Sequence, residues 1–208
     1  MSIITESSCK INIELPPKDV HAQMEVFYNP VMKSNRNLAV LLLNSIENEN
    51  MNLASPLAGS GIRELRFLKE LKPGKIQKIF VNDIKDNFPR VIEENLKLNS
   101  VTKDLREKMV VNNDDANLFL LNQVNHCKEG EFCGYFDYIE IDPFGTPNPF
   151  LAAAVARITR EGIIAVTATD TAALTGTYPK VTRRKYWARA VRNYMMHETG
   201  LRILIRKV

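Results

Sequence analysis

From residue 51 onward, short apolar runs alternate with longer stretches whose apolar positions recur every three or four residues. The first kind reads as buried strand, the second as amphipathic helix. Residues 53–58 form a strand that enters Gly59-Ser60-Gly61, and a helix follows over about 62–71, stopped near Pro73-Gly74. A second strand, 76–82, ends at Asp83, and a helix covers about 86–98 with Ile92, Leu96 and Leu98 available to its buried side. A third strand, 109–111, closes on 112–116 and is followed by a helix over about 116–124. The fourth strand is 136–141, its helix 148–160, and the fifth strand 162–168. A loop, 169–179, leads to a basic helix over about 182–197, and Gly200 precedes a sixth strand at 201–205. Strand alternating with helix predicts an α/β fold with a doubly wound, mostly parallel sheet. The loops after the first four strands then share one edge, the edge at which such sheets bind ligands.

The first 25 residues read differently, as an irregular or hairpin-like arm. Ile11, Ile13 and Leu15 alternate with polar residues until Pro16-Pro17 stops the strand. Phe27-Tyr28-Asn29-Pro30 is a turn, and Asn35 or Asn37 caps a helix with the apolar stripe Leu38, Leu41, Leu42 and Ile46. The chain thus divides into an arm and helix over 1–50 and a main domain over 51–208, with no internal repeat.

Composition narrows the class. With 45% hydrophobic and 25% charged residues among 208, the chain reads as a globular domain. No apolar run is long enough for a bilayer, and residues 1–10 lack a secretory pattern. Cys9, Cys127 and Cys133 are odd in number and lack Cys-x-x-Cys spacing, so free thiols in a reducing, cytoplasmic compartment are expected. A zinc site from Cys127, Cys133 and His126 lacks a fourth ligand, and no metal is expected. The net charge of +4 is uneven: from Tyr178 to the end there are nine Lys or Arg against Glu198 alone, which leaves −4 for residues 1–177. A basic end on a near-neutral body points to a local anionic partner.

The fourth strand ends in Asp142-Pro143-Phe144-Gly145-Thr146-Pro147-Asn148-Pro149, where three prolines and a glycine forbid helix and ladder pairing. Asp142 therefore sits on a stiff loop at the ligand-binding edge. A carboxylate, an aromatic ring and a rigid backbone there suit a flat, hydrogen-bonding substrate such as a nucleobase; a structural turn capped by Asp142 needs the same residues. Gly59 and Gly61 permit a tight turn and close approach of a ligand, but Glu64 stands where the dinucleotide fingerprint has its third glycine, which disfavours NAD. Asp83, 24 residues after Gly59, is placed for ribose hydroxyls, and Asp115-Ala116 for an adenine. Each is also what a helix cap looks like. No Gly-x-x-x-x-Gly-Lys-Ser/Thr is present, which speaks against a triphosphate. S-adenosyl-L-methionine, with a ribose and an adenine but no phosphate, fits.

Several segments together resemble the tRNA guanine N2-dimethyltransferases, which make N2,N2-dimethylguanosine at position 26 of tRNA. They are Phe27-Tyr28-Asn29-Pro30-Val31-Met32 with Asn35-Arg36, Gly59-Ser60-Gly61-Ile62-Arg63, Val81-Asn82-Asp83, Asp115-Ala116-Asn117, the loop from Asp142 to Pro147, Thr167-Ala168-Thr169-Asp170-Thr171 and Gly200-Leu201-Arg202-Ile203-Leu204-Ile205. The Asp-Pro-Phe-Gly loop is the most specific, since other amino-methyltransferases usually carry Asn/Asp-Pro-Pro-Tyr/Phe there. The resemblance implies a Rossmann-like class I methyltransferase fold, S-adenosyl-L-methionine as cofactor and tRNA as partner. It implies that Asp83 holds the cofactor ribose, that Asp115 and Ala116 hold the adenine, and that Arg36 with Arg63 or Arg66 meets the methionine end. Asp142, on a loop stiffened by Pro143, would face the guanine amine, with Phe27 and Phe144 around the flipped base. The basic helix, with Lys180, Arg183, Arg184 and Lys185 and with Tyr186 and Trp187 interleaved, fits tRNA phosphates and stacking, and equally a solvated helix face.

Two departures from the family stand out. Ser55 occupies a position where such proteins usually carry an acid, which removes one contact to the methionyl amine. The family usually continues into a C-terminal RNA-binding domain, whereas the sequence ends at Val208 after the sixth strand and before the usual seventh, so a truncated chain with little activity of its own is expected. An adenine amino-methyltransferase and a non-catalytic RNA-binding module are the competing readings; the Asp142–Thr146 loop argues against the former.

Overall fold

The structure, a computed structural model, describes residues 2–13, 26–122 and 134–208. Leu15, the Pro16-Pro17 stop, His126, Cys127, Cys133 and the end of the helix expected over 116–124 lie outside them.

The chain opens with an antiparallel hairpin, β1 (Ser2–Glu6) and β2 (Cys9–Ile13), turning at Ser7, which has φ 53°. A 3-10 turn over Pro30–Met32 follows, capped by Asn29, whose Oδ1 accepts from Val31 N at 3.0 Å, and it runs directly into α1 (Lys33–Ser45). The cap expected at Asn35 or Asn37 is thus replaced by Asn29, and both later asparagines lie inside the helix. Most of the expected stripe of α1 is also turned outward, Ile46 alone of it packing against the core. Arg36, Ala39 and Leu43 are buried, while Leu38, Leu41 and Leu42 are exposed. The burial of Arg36 against Glu6 sets this rotation.

Next come β3 (Met51–Ser55), α2 (Ile62–Glu70), β4 (Ile76–Asn82), α3 (Phe88–Leu98), the short α4 (Lys103–Arg106), β5 (Met109–Asn112) and α5 (Ala116–Leu121). Then follow β6 (Phe136–Ile141), α6 (Asn148–Arg157) and β7 (Ile158–Val166). The five central strands lie in the order β5-β4-β3-β6-β7, all parallel, so the expected doubly wound sheet is present. β7 starts earlier than expected, because a shift in register where it pairs with β6 near Phe136–Tyr138 accommodates Glu161 at φ 65°.

One core lies on the sheet face covered by α2, α3 and the hairpin, with Ile11, Ile13, Leu43, Leu65, Phe67, Ile79, Ile92 and Tyr138 in a single cluster. The opposite face buries Phe80, Phe119, Phe136 and Ala154 under α5 and α6. The hairpin is fixed by side-chain caps on its open edge: Lys10 N donates to Asn99 Oδ1 (2.8 Å) and Asn12 N to Asn95 Oδ1 (2.9 Å). Such pairing satisfies backbone groups that a lone two-stranded ribbon leaves open.

After β7 the chain is helical. The expected loop over 169–179 contains α7 (Thr171–Leu174), and the basic helix is shorter than expected: α8 covers Pro179–Tyr186 and stops at Trp187, which is left-handed at φ 52°. The sixth strand is absent; its residues lie in α9 (Met196–Lys207). The run from Leu201 to Ile205 is apolar enough for either period. Burial selects the helix, for Gly200 and Ile203 face the small cluster of Ala173, Leu174 and Tyr186, and Glu198 pairs with Arg202 one turn on at 2.8 Å. Gly200 is a contact residue rather than a breaker: a Cβ there would meet Leu174 O at 3.2 Å.

Candidate active site

The site is built from strand ends that share one edge. β3 exits into Gly59-Ser60-Gly61, with Gly59 at φ 58° and Gly61 at φ 71°. Those angles favour glycine, and Gly61 also lies against Ile92, whose Cδ1 would come within 2.2 Å of a Cβ. Asp83, at the exit of β4, shapes this turn: its Oδ2 accepts from Gly59 N at 2.9 Å and its Oδ1 from Lys85 N at 3.2 Å. Beside it Asp115 caps α5, one carboxylate oxygen accepting from Asn117 N (2.9 Å) and Leu118 N (3.1 Å), with Ala116 buried behind.

Asn82, fully buried, ties three strand exits together. Its Nδ2 donates to Pro56 O (3.0 Å) and Asp114 O (2.9 Å), and its Oδ1 accepts from Asp114 N (2.9 Å). Sequence reasoning assigned no role to Asn82; a buried amide closing an apolar strand was the available signal.

Asp142 follows β6 at the same edge. Its Oδ2 accepts from Arg63 Nη2 at 3.0 Å, and Arg63 Nη1 also lies 3.3 Å from Glu140 Oε2. Glu140 takes a short hydrogen bond from the Tyr138 hydroxyl. Burial raises the Glu140 carboxyl, and although the Arg63 charge and the Tyr138 hydroxyl pull it down, it ends at about 7. The loop after Asp142 is clamped to the exit of β7: Gly145 N donates to Thr169 Oγ1 (2.7 Å) and Thr169 N to Gly145 O (2.9 Å). Pro143 is buried beneath it. Tyr186 Oη donates to Asp170 Oδ1 (2.6 Å) and meets Thr146 Oγ1 (3.1 Å), so α8 is docked onto this loop. Tyr186 is therefore buried and is not a stacking face, contrary to expectation.

Two cavities adjoin at Asp142. The inner one, about 40 Å³, is lined by Arg36, Ser55, Arg63, Glu64, Glu140 and Asp142, with Phe27, Tyr28 and Asn29 at its side. The outer one, about 180 Å³, is lined by Phe27, Asn29, Met32, Asp142, Pro143, Phe144 and Thr169. Phe27, Asn29 and Asp142 belong to both. Phe27 and Phe144 contact each other edge-to-face with centroids 4.4 Å apart. A base stacked between them needs about 7 Å, two carbon contact distances, so the rings must part for it to enter.

The three arginines separate. Arg63 lines the inner cavity. Arg36 also lines it, but its guanidinium is bound to Glu6, with Nε to Oε1 at 2.7 Å and Nη2 to Oε2 at 2.5 Å. Arg66 is turned to Glu6 (3.0 Å) and Glu70 (2.8 Å). Glu6 also accepts from Tyr28 Oη at 3.0 Å. Burial would raise its carboxyl, but Arg36, Arg66 and Tyr28 outweigh that and hold it below the usual carboxylate range. In the basic segment Lys180, Arg183 and Arg184 are exposed, and Lys180 and Arg183 line a surface cavity of about 530 Å³ with Trp187. Lys185 is spent on Asp170 at 2.9 Å. Trp187 is exposed, with Lys207 Nζ 3.7 Å from its ring centre. No cluster of His, Cys, Asp and Glu among the described residues could hold a metal, and no described helix is long and apolar enough to cross a membrane.

A doubly wound parallel sheet with a two-glycine turn and acids at three further strand exits is a nucleoside-binding fold of the Rossmann type. Residues 6–208 match the family described as N2,N2-dimethylguanosine tRNA methyltransferase. The chain is 44% identical over 211 residues to a tRNA (guanine(26)-N(2)/guanine(27)-N(2))-dimethyltransferase of Aquifex aeolicus, covering 100% of this chain and 50% of that protein. It is 39% identical over 206 residues to a tRNA (guanine(26)-N(2))-dimethyltransferase of Methanothermobacter thermautotrophicus, covering 97% and 50%. Trm1 from Pyrococcus horikoshii, solved with S-adenosyl-L-methionine, superposes with a TM-score of 0.83 at 32% identity, over 100% of this chain and 53% of that one. The chain belongs to the N2,N2-dimethylguanosine tRNA methyltransferase family and has its Rossmann-like class I methyltransferase fold. It spans about half the length of the curated relatives it matches.

Proposed function

We propose that this chain carries the cofactor- and base-binding half of an S-adenosyl-L-methionine-dependent tRNA (guanine-N2)-dimethyltransferase that acts on guanine 26 in the cytoplasm. The observation that carries the reading is the pair of cavities that meet at Asp142. One is small and lined by charged groups, the other aromatic-walled, and a methyl group passing between two ligands must cross where they join.

The residues fit the cofactor. Asp83 and the Gly59 turn suit the ribose, Asp115 and Ala116 the adenine, and the inner cavity with Arg63 the amino-acid end. Arg36 lines that cavity too, but Glu6 holds its guanidinium, so its share is to keep Asn29, whose carbonyl it binds at 3.0 Å, against the cavity. Arg66, held by Glu6 and Glu70, takes no part. When bound, the cofactor would supply an electrophilic methyl group on a sulfonium sulfur, which would leave as a neutral thioether when the methyl–sulfur bond breaks.

The guanine N2 lone pair is delocalised into the ring and attacks poorly. Asp142, oriented by Arg63, accepts a hydrogen bond from the amine, localises that lone pair on nitrogen and takes the proton released as the nitrogen–carbon bond forms. Once Asp142 has released that proton to solvent, the second N–H allows the same step again. Pro143 and the Thr169 clamp hold the acceptor still, which serves alignment. Phe27 and Phe144, once parted, stack on the base and offset the few kcal/mol of unstacking it. Lys180, Arg183, Arg184 and Trp187 supply phosphate contacts and one stacking face for tRNA.

Mass spectrometry of a tRNA transcript incubated with cofactor and this chain in a full-length context tests this. N2,N2-dimethylguanosine at position 26 is expected; methylation confined to another base would overturn the reading.

A further inference from the structure

The inner cavity holds two buried polar atoms without a hydrogen-bond partner: Arg63 Nη1, a donor, and Glu64 Oε2, an acceptor. Both residues are almost wholly shielded, at 5% and 1% exposure. Leaving such atoms unpaired is costly, more so for charged groups. The other acids of the cavity are engaged, since Glu140 and Asp142 share the Arg63 guanidinium. Glu64 Oε2 accepts no hydrogen bond, and Ser55 is the largest of the influences that pull its carboxyl down against burial. A guanidinium nitrogen held by an ion pair at 3.3 Å but by no hydrogen bond, and a carboxylate oxygen with no partner, match a zwitterion such as an α-amino-acid group.

Position matters as much as charge. Ser55 stands at the end of β3, and Glu64 stands in the first turn of α2 where the nucleotide fingerprint has glycine. Both side chains line the inner cavity. An acid on the helix therefore reaches the space that an acid on the strand would occupy. We propose that Glu64 binds the α-ammonium group of the methyl donor in place of the strand-end acid, while Arg63 Nη1 takes its α-carboxylate. Burial pushes the Glu64 carboxyl up in the free protein, which is the state an incoming cation relieves. This assignment rests on the cofactor reading above.

Calorimetry with three probes tests it. S-adenosyl-L-methionine carries both charged groups, its decarboxylated form keeps the amine alone, and 5′-methylthioadenosine has neither. Glu64→Gln is expected to weaken the first two by about tenfold or more, the loss of a hydrogen bond between charged groups, and to leave 5′-methylthioadenosine within about twofold. Adding Ser55→Asp to a Glu64→Gly variant is expected to restore most of the affinity for S-adenosyl-L-methionine. Equal loss for all three probes would make Glu64 a structural residue and overturn the proposal, as would unchanged affinity for the two amines. A parent chain that binds none of the three would instead sink the cofactor reading, and this assignment with it.

Discussion

Glu6 anchors the hairpin to the site, and Glu6→Gln should cost about 3 kcal/mol of stability. Four donors converge on this carboxylate: Arg36 through two nitrogens at 2.7 and 2.5 Å, Arg66 at 3.0 Å and the Tyr28 hydroxyl at 3.0 Å. An amide in its place keeps one acceptor and turns an N–H₂ toward a guanidinium. Removing one partner of a buried ion pair typically costs about 3–5 kcal/mol because the other charge is stranded. Arg66 retains Glu70 through three contacts of 2.8–3.2 Å, so its share is small. Arg36 retains the Asn29 carbonyl at 3.0 Å and the Tyr28 ring, and bears most of the loss. That places the total at the low end of the range. Urea denaturation of the parent, Glu6→Gln, Arg36→Gln and the double variant gives the cycle, with an expected coupling of about 2 kcal/mol. The carboxyl is held low in the folded state, so its contribution is present above the ordinary carboxylate value and is lost as pH falls through the folded value. The parent should therefore lose stability on acidification more steeply than Glu6→Gln. A loss under about 1 kcal/mol with no coupling would refute the anchor.

Asp83→Ala should weaken S-adenosyl-L-methionine by about 1–3 kcal/mol, the cost of stranding hydrogen-bonding groups; equal affinities by calorimetry would rule its ribose role out. Gly61→Ala should cost about 1–2 kcal/mol for the left-handed backbone, plus the strain of displacing Ile92 Cδ1. A denaturation midpoint equal to the parent's would contradict the close approach. Glu140 is raised from about 4.5 to about 7, so the stability tied to its protonated form is complete below 4.5 and is lost as pH rises toward 7. Glu140→Gln stays neutral, and its melting temperature should fall less than the parent's across that window; parallel curves would remove Glu140 as the source.

Much of the sheet was legible because parallel strands buried on both faces are written as short apolar runs bounded by breakers. The second and fourth strands match expectation residue for residue, 76–82 and 136–141. The loops that bring Asp83, Asp115 and Asp142 to one edge followed from chain order and crossover handedness alone. Helix orientation was less legible. The face of α1 is set by Arg36 reaching a carboxylate thirty residues earlier in sequence, and periodicity carries no record of such a partner. The strand expected at 201–205 failed because a five-residue apolar run fits either period, and packing on α7 and α8 decided it. Glu6, Asn82 and Asp170 were given no role for a related reason: each acts through long-range hydrogen bonds, and a single polar residue in an apolar stretch looks the same whether it is a hub or a surface exception.

The central claim is that Asp142 takes the guanine amine proton where the two cavities meet. Single-turnover methylation of tRNA by Asp142→Asn, measured beside its calorimetric affinity for S-adenosyl-L-methionine, tests it most directly. The account predicts a rate lower by about 10²–10⁴-fold, the range for a positioned acid or base, with cofactor affinity nearly unchanged. A variant that dimethylates guanine 26 at the parental rate would reduce Asp142 to a turn residue and contradict the account.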